Sequence, residues 1–332
     1  MKSGSVAIVG RTNVGKSTLL NALLGEPLAI ISPLPQTTRE TLLGVLHTEA
    51  AQIAFIDTPG LHRPRSELGR RMNATALDAL RGCDAIVFMT SVSSLVNKPK
   101  QPSSVWTPEA PNLLDEDDQR LLAALPKEIP AVLLLNKIDL LKNKRMLLPI
   151  MQAFAALHPF AAMVPISAKN HDGLQNAIEA LAQKLPEQTA PYDKDTLTDR
   201  PTAFFVREYV REQILLQMRS EVPHAVAVTV DRFLERPKIT EISATIHVEK
   251  DGQKAIVVGR GGSAIKQIGI EARKRLEQLL GVKIHLELFV RVTSRWKNMP
   301  RQLSELGYDH SAGRALSHLL PGAPKKRTKA KS

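Results

Sequence analysis

The sequence predicts an α/β fold, with a doubly wound, mainly parallel sheet in the first half and a smaller α+β domain after it. Three observations support this prediction. Short apolar runs alternate with amphipathic helical patterns up to about residue 185, which is typical of a parallel sheet with helices on both faces. A segment with three prolines then interrupts the alternation. Beyond it, both the order of elements and the charge change.

The elements of the first half follow one another regularly. Five apolar runs are the predicted strands: Val6–Val9, Ile53–Ile56, Ala85–Met89, Ala131–Leu135 and Met163–Ile166. Helical patterns lie between most of them, including one that ends at Leu24 and the segments Ser66–Leu80, Asp115–Leu125 and Asp172–Leu185. Residues 92–111, rich in Ser, Pro, Asn and Lys, predict an inserted surface loop. We expect a first domain over residues 1–185 and a linker over residues 186–202.

The second domain, residues 203–309, has a different predicted order. Its first helix, Ala203–Arg219, is amphipathic, since Val206, Val210 and Ile214 share one face and charged residues alternate on the rest. The other predicted elements are two strands, Ala225–Phe233 and Thr240–Glu249, a turn at Lys250–Gly252, the loop Gly259–Gly262, a helix Ser263–Leu280 and a strand Lys283–Val292. Residues 310–332 form a basic tail that we expect to be disordered.

Composition excludes several classes of protein. Apolar residues make up 43% of the 332 residues, which excludes disorder of the whole chain. No run of 18 apolar residues could span a membrane, and the N-terminus enters a predicted strand at once instead of a signal peptide. The single cysteine, Cys83, excludes an internal disulfide framework and suits a reducing compartment. We therefore expect a cytoplasmic protein.

The charge is distributed unevenly. Residues 1–190 hold 19 basic and 17 acidic residues, whereas residues 191–332 hold 26 and 16. A strongly basic second half predicts a polyanionic partner, although a generally basic soluble protein would show the same excess. Residues 322–332 carry five basic residues and no acidic one, which would add non-specific affinity for phosphate.

A phosphate-binding loop is predicted between the first strand and the first helix. The residues that fit Gly-x-x-x-x-Gly-Lys-Ser are Gly10, Arg11, Thr12, Asn13, Val14, Gly15, Lys16 and Ser17, with Thr18 following in the helix. The glycines let successive N–H groups face phosphates at the helix N-terminus. Lys16 would reach the β- and γ-phosphates, and Ser17 would hold Mg²⁺. The alternative is a glycine-rich turn before an ordinary helix.

Three further motifs follow later predicted strands. In Asp57-Thr58-Pro59-Gly60, the carboxylate can hold Mg²⁺ through water and the Gly60 N–H can sense the γ-phosphate. In the second motif, Asn136 supports the loop, the Lys137 stem lies against the base, and Asp139 accepts from two guanine donors that adenine lacks. The third, Ser167-Ala168-Lys169, can offer an N–H to guanine O6. Because parallel strands end at one sheet edge, we expect one site.

A switch segment, Gln36-Thr37-Thr38-Arg39, lies between the phosphate loop and Asp57. A threonine here can join Mg²⁺ when the γ-phosphate is present and leave after hydrolysis, which is the order–disorder switch of GTPases. We assign this role to Thr38, with Thr37 as the alternative. Either threonine could instead belong to a polar surface loop.

The ordered motifs GRTNVGKS, QTTR, DTPG, NKID and SAK resemble those of the Era branch of translation-factor-class small GTPases, and the resemblance covers residues 5–309. It implies a Ras-like P-loop GTPase domain, Mg²⁺ as cofactor, and catalysis by Lys16, Thr38 and Gly60. Many GTPases carry a catalytic glutamine after this glycine, but here Leu61 stands there, so we expect slow intrinsic hydrolysis. Asn13 matches the asparagine that holds K⁺ in related potassium-stimulated GTPases. Alternatively, Asn13 only favours the tight turn.

The loop Gly259-Arg260-Gly261-Gly262 is a Gly-x-x-Gly sequence that opens a helix in the basic half. Together with its element order it resembles a type-II KH domain, whose loop clamps about four nucleotides of single-stranded RNA. The candidate phosphate contacts, each of which could equally be solvated helix residues, are Arg260, Lys266, Arg273, Lys274 and Arg275. The candidates for base contact, which could equally be helix core, are Ile265, Ile268 and Ile270.

The resemblance to Era implies the partners. They are GTP and GDP, the 3′ end of 16S ribosomal RNA, and the 30S subunit. A different GTPase switch, acting on the inner face of the cell membrane, is the alternative, because the basic tail could touch anionic lipids; such a switch does not need the Gly-x-x-Gly module. A non-hydrolysing RNA-binding protein is disfavoured by intact Lys16, Ser17, Asp57 and Asp139. We expect a monomer, since no heptad run is present.

Overall fold

The computed structural model describes residues 1–93 and 115–308. These residues form a six-stranded sheet and a three-stranded sheet, each with its own helices. The predicted α/β first half and α+β second half are therefore confirmed. Most of the predicted 92–111 loop and the whole 310–332 tail lie outside the described residues.

The larger sheet has the strand order β2-β3-β1-β4-β5-β6, and every neighbouring pair is parallel except β2 with β3. Its strands are β1 (Lys2–Val9), β2 (Leu42–His47), β3 (Ala51–Asp57), β4 (Ala85–Ser91), β5 (Ala131–Asn136) and β6 (Ala162–Pro165). Successive β1 residues face opposite sides of the sheet, so that Val6 and Ile8 enter one apolar cluster and Ala7 and Val9 the other. All five predicted strands are present.

Within the described residues, five α-helices cover the two faces of this sheet. They are α1 (Lys16–Leu24), α2 (Glu67–Leu80), α3 (Glu116–Ala123), α4 (Leu147–Ala155) and α5 (Leu174–Ala182). Side-chain caps fix where two of them begin: Ser66 accepts from the Gly69 N–H at 3.1 Å, and Asp115 accepts from the Asp117 N–H at 3.0 Å. α1 instead begins directly at the phosphate loop, without a side-chain cap.

One strand of the sheet was not predicted. β2 follows the switch segment and pairs antiparallel with β3, with Leu42 opposite Asp57. The signal available in the sequence was an apolar run, Leu42–Leu46, but Gly44 within it lowers the strand propensity. This strand forms because its side chains are buried against neighbouring elements, and this burial outweighs the low local strand propensity.

The predicted linker packs along the edge of the sheet and is hydrogen-bonded to it. The Val45 N–H donates to the Leu197 carbonyl at 2.9 Å, and the Thr198 hydroxyl donates to the Leu43 carbonyl at 2.7 Å. Nearer its start, the Ser3 N–H donates to the Pro186 carbonyl at 3.0 Å. The linker thus covers the backbone of edge strand β2, which would otherwise be open to pairing.

The second domain consists of α6 (Thr202–Gln217), β7 (Ala227–Glu235), β8 (Thr240–Val248), α7 (Asp251–Val258), α8 (Ser263–Leu280), β9 (Ile284–Val292) and α9 (Pro300–Glu305). The predicted turn at Lys250–Gly252 is wrong. Lys250 is the N-cap of α7, and Asp251 and Gly252 lie inside this helix. Gln253 closes the cap, because its side chain accepts from the Lys250 N–H at 3.1 Å. The glycine loop therefore joins two helices.

The amphipathic interpretation of the first helix of this domain was incomplete. In α6, Val206, Val210 and Ile214 are buried as expected, but Glu208 and Arg211 on the charged face are buried too. This face packs against the first domain and not against water. Within the described residues, no helix is both long and apolar enough to cross a membrane.

Candidate nucleotide site and nucleic-acid groove

The four strand-end motifs meet at one edge of the large sheet. β1, β3, β5 and β6 are parallel, and each ends in one of the predicted motifs. Their contacts confirm that they are adjacent: the Asn136 amide donates to the Val14 carbonyl at 2.8 Å, and the Ala168 N–H donates to Asn136 Oδ1 at 2.9 Å. The edge lies where open α/β sheets bind ligands.

The phosphate loop curls as the glycine pattern predicts. Gly15 has φ 106°, a left-handed conformation that favours glycine. The Lys16 ammonium donates to the Gly10 carbonyl at 3.1 Å and to the Arg11 carbonyl at 2.9 Å. Burial lowers the pKa of Lys16 to about 8, and the nearby Asp57 carboxylate partly opposes this shift. A bound phosphate would supply the anionic partner that this buried ammonium otherwise lacks.

Three oxygen donors converge beside Lys16. Ser17 Oγ lies 2.8 Å from Thr38 Oγ1 and donates to Asp57 Oδ2 at 2.7 Å. The other carboxylate oxygen of Asp57, Oδ1, is buried and has no hydrogen-bond partner among the described residues. Burial raises the pKa of Asp57 to about 6, despite Lys16 and the two hydroxyl contacts. Two hydroxyls and an unsatisfied carboxylate form a donor set that suits Mg²⁺.

The two switch threonines have different surroundings. Thr38 Oγ1 faces the Ser17–Asp57 pair, at 3.4 Å from Asp57 Oδ2. Thr37 Oγ1 instead donates to the Leu34 carbonyl at 2.8 Å, within its own loop. The cleft lined by both threonines also contains Lys16, Gly60 and Asn13.

Asn13 adopts a left-handed conformation, with φ 62°, and its amide donates to the Pro33 carbonyl at 3.2 Å. The turn-forming role is therefore visible in its backbone. The same side chain therefore connects the phosphate loop to the residues that precede the switch segment.

The segment after Asp57 lies close against the phosphate loop. A Cβ on Gly60 would lie 2.8 Å from Thr12 Cα, so only glycine fits. The Leu61 N–H donates to the Gly10 carbonyl at 3.4 Å, and the Leu61 side chain packs against an apolar cluster. Leu61 therefore offers no polar group to a water molecule beside the γ-phosphate.

The predicted base site is connected through hydrogen bonds. Ser167 Oγ donates to Asp139 Oδ1 at 2.6 Å, which orients the exposed carboxylate. Lys137 has φ 63°, and its ammonium donates to the Asn13 carbonyl at 2.7 Å. The Ala168 N–H, expected to face guanine O6, is held by Asn136 Oδ1, so that guanine would have to share or displace this bond. Lys169 is exposed beside these residues.

A buried ion pair supports the phosphate loop and was not predicted. Arg11 Nε donates to Asp118 Oδ1 at 2.8 Å, and Arg11 Nη1 donates to Asp115 Oδ2 at 2.7 Å. Asp118 is 2% exposed and also accepts from the Thr90 hydroxyl at 2.8 Å. Sequence offered only the acidic start of α3 as a signal, since the partners are about a hundred residues apart.

A second cleft lies in the basic domain, between α8 and β9. It is lined by Ile265, Lys266, Gly269, Ile270, Arg273, Leu286 and Leu288. The two β9 leucines were missed, because alternation along that strand does not tell which neighbour they face. Gly261, in the Gly-x-x-Gly loop that precedes α8, has φ 55° and open space where its Cβ would be.

Three candidates of the basic domain behave differently from one another. Ile268 is fully buried and belongs to the helix core, so its candidacy for base contact was wrong. Lys274 is paired with Glu271 at 2.8 Å on the exposed side of α8. Arg275 does not face the cleft at all: it pairs with Glu212 and donates to the Pro27 carbonyl of the first domain at 2.8 Å.

Comparison with known proteins agrees with both halves. Residues 5–137 match the family model described as 50S ribosome-binding GTPase, and residues 221–297 match the KH domain model. GTPase Era from Lacticaseibacillus paracasei is 44% identical over 309 residues, which cover 92% of this chain and 97% of that protein. The chain belongs to the Era family of GTPases. GTPase Era from a Geobacter species, strain M21, is 41% identical over 93% of this chain and 98% of its own length.

Solved structures extend this family assignment to the whole fold. A variant of Aquifex aeolicus Era bound to GDP and aluminium fluoride has a TM-score of 0.83 and 34% identity, covering 93% of this chain and 99% of that one. A structure of Era with MgGDPNP and nucleotides 1506–1542 of 16S ribosomal RNA gives the same TM-score, identity and coverage. The Era fold therefore accounts for both sheets and for their connection.

Proposed function

We propose that this Era-family GTPase is a GTP-dependent switch that binds the 3′ end of 16S ribosomal RNA and assists maturation of the 30S subunit. The observation that carries the proposal is the convergence of Ser17, Thr38 and Asp57 in a chain whose KH cleft lies on a helix that also contacts the first domain. The structure of Era with 16S ribosomal RNA supports this partner.

Nucleotide binding rests on the phosphate loop and the base motif. Backbone N–H groups of the loop and the Lys16 ammonium hold the phosphates. Ser17, Thr38 and Asp57 are the residues that would hold Mg²⁺, and the ion would neutralise charge on the phosphate oxygens. Asp139, oriented by Ser167, selects guanine, since an unmatched carboxylate in the base pocket would be costly for adenine.

Hydrolysis depends on backbone and hydroxyl groups of the switch segments. Leu61 cannot orient water, so the intrinsic rate is slow and the Gly60 N–H, the Thr38 hydroxyl and Lys16 stabilise the transferred phosphoryl group. Asn13 is the residue we assign to K⁺, since its side chain lies in the phosphate cleft beside the switch. Loss of the γ-phosphate would release Thr38 and with it the switch.

RNA binding is assigned to the cleft between α8 and β9. Gly259, Arg260, Gly261 and Gly262 allow the sugar–phosphate backbone to approach closely. Ile265, Ile270 and Leu288 give an apolar surface for bases, and Lys266 and Arg273 supply charge at its edge. Lys274 would add charge only outside the cleft.

The proposed domain boundaries are residues 1–185 for the GTPase domain, 186–202 for the linker and 203–309 for the KH domain.

The test measures GTP hydrolysis in K⁺ and in Na⁺, with and without a short RNA that copies the 3′ end of 16S ribosomal RNA. We expect stimulation by this RNA and not by a scrambled one, and faster hydrolysis in K⁺. Gly261→Asp should weaken RNA binding about tenfold or more by placing negative charge against phosphate. Gly281→Asp is the matched control, since Gly281 also has a positive φ, 67°, and open space at its Cβ, but lies at the exposed C-terminal end of α8.

The outcomes separate the two candidate functions. Equal RNA affinity for the two glycine variants would move the RNA site away from the Gly-x-x-Gly loop. If RNA does not change the rate of GTP hydrolysis and the chain binds anionic vesicles, these results would favour the switch at the membrane surface instead. Equal rates of GTP hydrolysis in K⁺ and in Na⁺ would contradict the assignment of K⁺ to Asn13 and leave Asn13 as a turn-forming residue.

A further inference from the structure

The buried charges of α6 lie against the switch segment of the first domain. Arg211 is 1% exposed, and Glu208 and Glu212 are 8% and 3% exposed. Charged side chains are rarely this buried unless they are paired. Each of the three is hydrogen-bonded, although Arg211 Nη1 has no partner among the described residues, and two of them reach across to the backbone between Ile31 and Thr37.

Arg211 is held rigidly while it contacts the switch. Its Nε and Nη2 donate to the two carboxylate oxygens of Glu208 at 2.9 and 2.5 Å. This two-point contact fixes the plane of the guanidinium group. From that position, Nη2 also donates to the Thr37 carbonyl at 2.5 Å.

The Thr37 carbonyl belongs to the peptide group that it shares with the Thr38 nitrogen. Fixing this peptide plane fixes the start of the Thr38 backbone, whose hydroxyl lies 2.8 Å from Ser17 Oγ. Thr38 is the residue that must be in place when the γ-phosphate is bound and absent from the site afterwards. The contact from Arg211 therefore acts on the moving part of the site.

The chain just before the switch segment contacts the same helix. Glu212 Oε1 accepts from the Ile31 N–H at 3.1 Å, and Glu212 pairs with Arg275 of α8. Arg275 stands 4.2 Å from the centre of the Tyr209 ring and donates to carbonyls that precede the switch. The opposite side of α8 lines the RNA cleft with Lys266 and Arg273.

We propose that Arg211, held by Glu208, is a positioning residue for GTP hydrolysis: it places Thr38 through the Thr37–Thr38 peptide group, so that the second domain completes the nucleotide site of the first. This inference rests on the proposed GTPase function and adds to it a residue from the RNA-binding half. It also gives the RNA cleft a physical connection to the switch, through α8, Arg275 and Glu212.

The test uses the full chain with Mg²⁺ and compares affinities for fluorescent GDP and a fluorescent non-hydrolysable GTP analogue. The first variant is Arg211→Lys, which keeps the charge but cannot hold Glu208 and Thr37 together in the same plane. The second is Glu208→Gln with Arg211→Met, which removes both partners of the buried pair and avoids leaving one charge unpaired. Arg207→Lys is the matched control for Arg211→Lys, since Arg207 contacts Glu40 at 3.3 Å from the same helix but not the Thr37 carbonyl, and lysine leaves a positive charge beside Glu40.

We expect the double variant to lose about tenfold or more in affinity for the GTP analogue and in kcat, corresponding to the loss of one charge-assisted hydrogen bond. GDP affinity should stay within about twofold, because Thr38 engages only the triphosphate state. Arg211→Lys should keep part of the kcat that the double variant loses, and the Arg207→Lys variant should match the unmodified chain.

Equal losses for GDP and the GTP analogue in both variants would overturn the inference, since they would indicate a general structural role. Unchanged kcat in both variants would overturn it as well. Neither result would touch the proposed function, provided that the unmodified chain hydrolyses GTP. If the unmodified chain does not hydrolyse GTP, the proposed function itself fails.

Discussion

The ion pair beneath the phosphate loop gives the sharpest stability prediction. The Arg11 guanidinium contacts two carboxylates at similar distances, 2.8 Å for Asp118 and 2.7 Å for Asp115. Their environments differ, since the Asp118 side chain is 3% exposed and the Asp115 side chain is 35% exposed. The prediction is that burial, and not distance, decides which contact stabilises the fold.

The expected energies follow from this difference. A hydrogen bond to a buried charged group contributes about 1.5–3 kcal/mol, so we expect a coupling energy of about 2 kcal/mol between Arg11 and Asp118. A solvent-screened pair contributes about 0.5 kcal/mol, which is our expectation for Arg11 with Asp115. Burial raises the pKa of Asp118 although Arg11 opposes the shift, so the coupling with Arg11 offsets part of the cost of burying this carboxylate.

Two double-mutant cycles measure these couplings. Arg11→Ala is combined with Asp118→Ala in one cycle and with Asp115→Ala in the other. The free energy of unfolding is taken from urea titrations without nucleotide, because a bound ligand would add its own stabilisation. Asp115→Ala also removes the N-cap of α3, and the double-mutant cycle subtracts this separate cost. Equal couplings in the two cycles, or a smaller one for Asp118, would refute the reasoning.

Three further predictions concern the nucleotide site. Thr38→Ala should lower kcat for GTP about tenfold while Thr37→Ala changes it less than about threefold, since only the first hydroxyl faces Ser17 and Asp57; similar losses in steady-state hydrolysis assays would contradict this. Asp139→Asn should weaken GTP binding roughly 10²-fold and favour xanthosine triphosphate, and competition titrations with unchanged preference would remove the base assignment. Mg·GTP affinity should be highest between about pH 6 and pH 8, because Asp57 must lose a proton to hold Mg²⁺ and Lys16 must keep one to hold phosphate. One unit outside either limit, affinity should fall about tenfold; a flat titration profile from pH 5 to pH 9 would show that neither group controls binding.

Local patterns were enough to predict most of the first domain. Its strands are buried runs and its motifs sit at strand ends, so sequence position alone places Lys16, Asp57 and Asn136 near one another. The placement of Asn13 in a tight turn followed from the same rules, and its φ of 62° agrees with that expectation. Strand β2 escaped prediction because its pairing with β3 is a tertiary contact.

Contacts between distant segments could not be read from the sequence. The run Arg273–Arg275 on α8 presents consecutive basic residues, which look equivalent in a charge count. Residues two positions apart on a helix lie on nearly opposite faces. Accordingly, Arg273 lines the cleft between α8 and β9, whereas Arg275 contacts the first domain. Only the packing of α8 against α6 distinguishes them.

The same effect changes the meaning of the basic second half. Four arginines of this half contact residues of the first domain. They are Arg200, Arg207, Arg211 and Arg275. Arg207, Arg211 and Arg275 are paired with carboxylates and Arg200 donates to Thr41, so all four side chains are engaged inside the protein. The excess of positive charge predicts a polyanionic partner for the domain, but it overstates how many residues could meet that partner. Part of the excess instead attaches the RNA-binding half to the switch, and this attachment is what would let the state of the nucleotide reach the RNA.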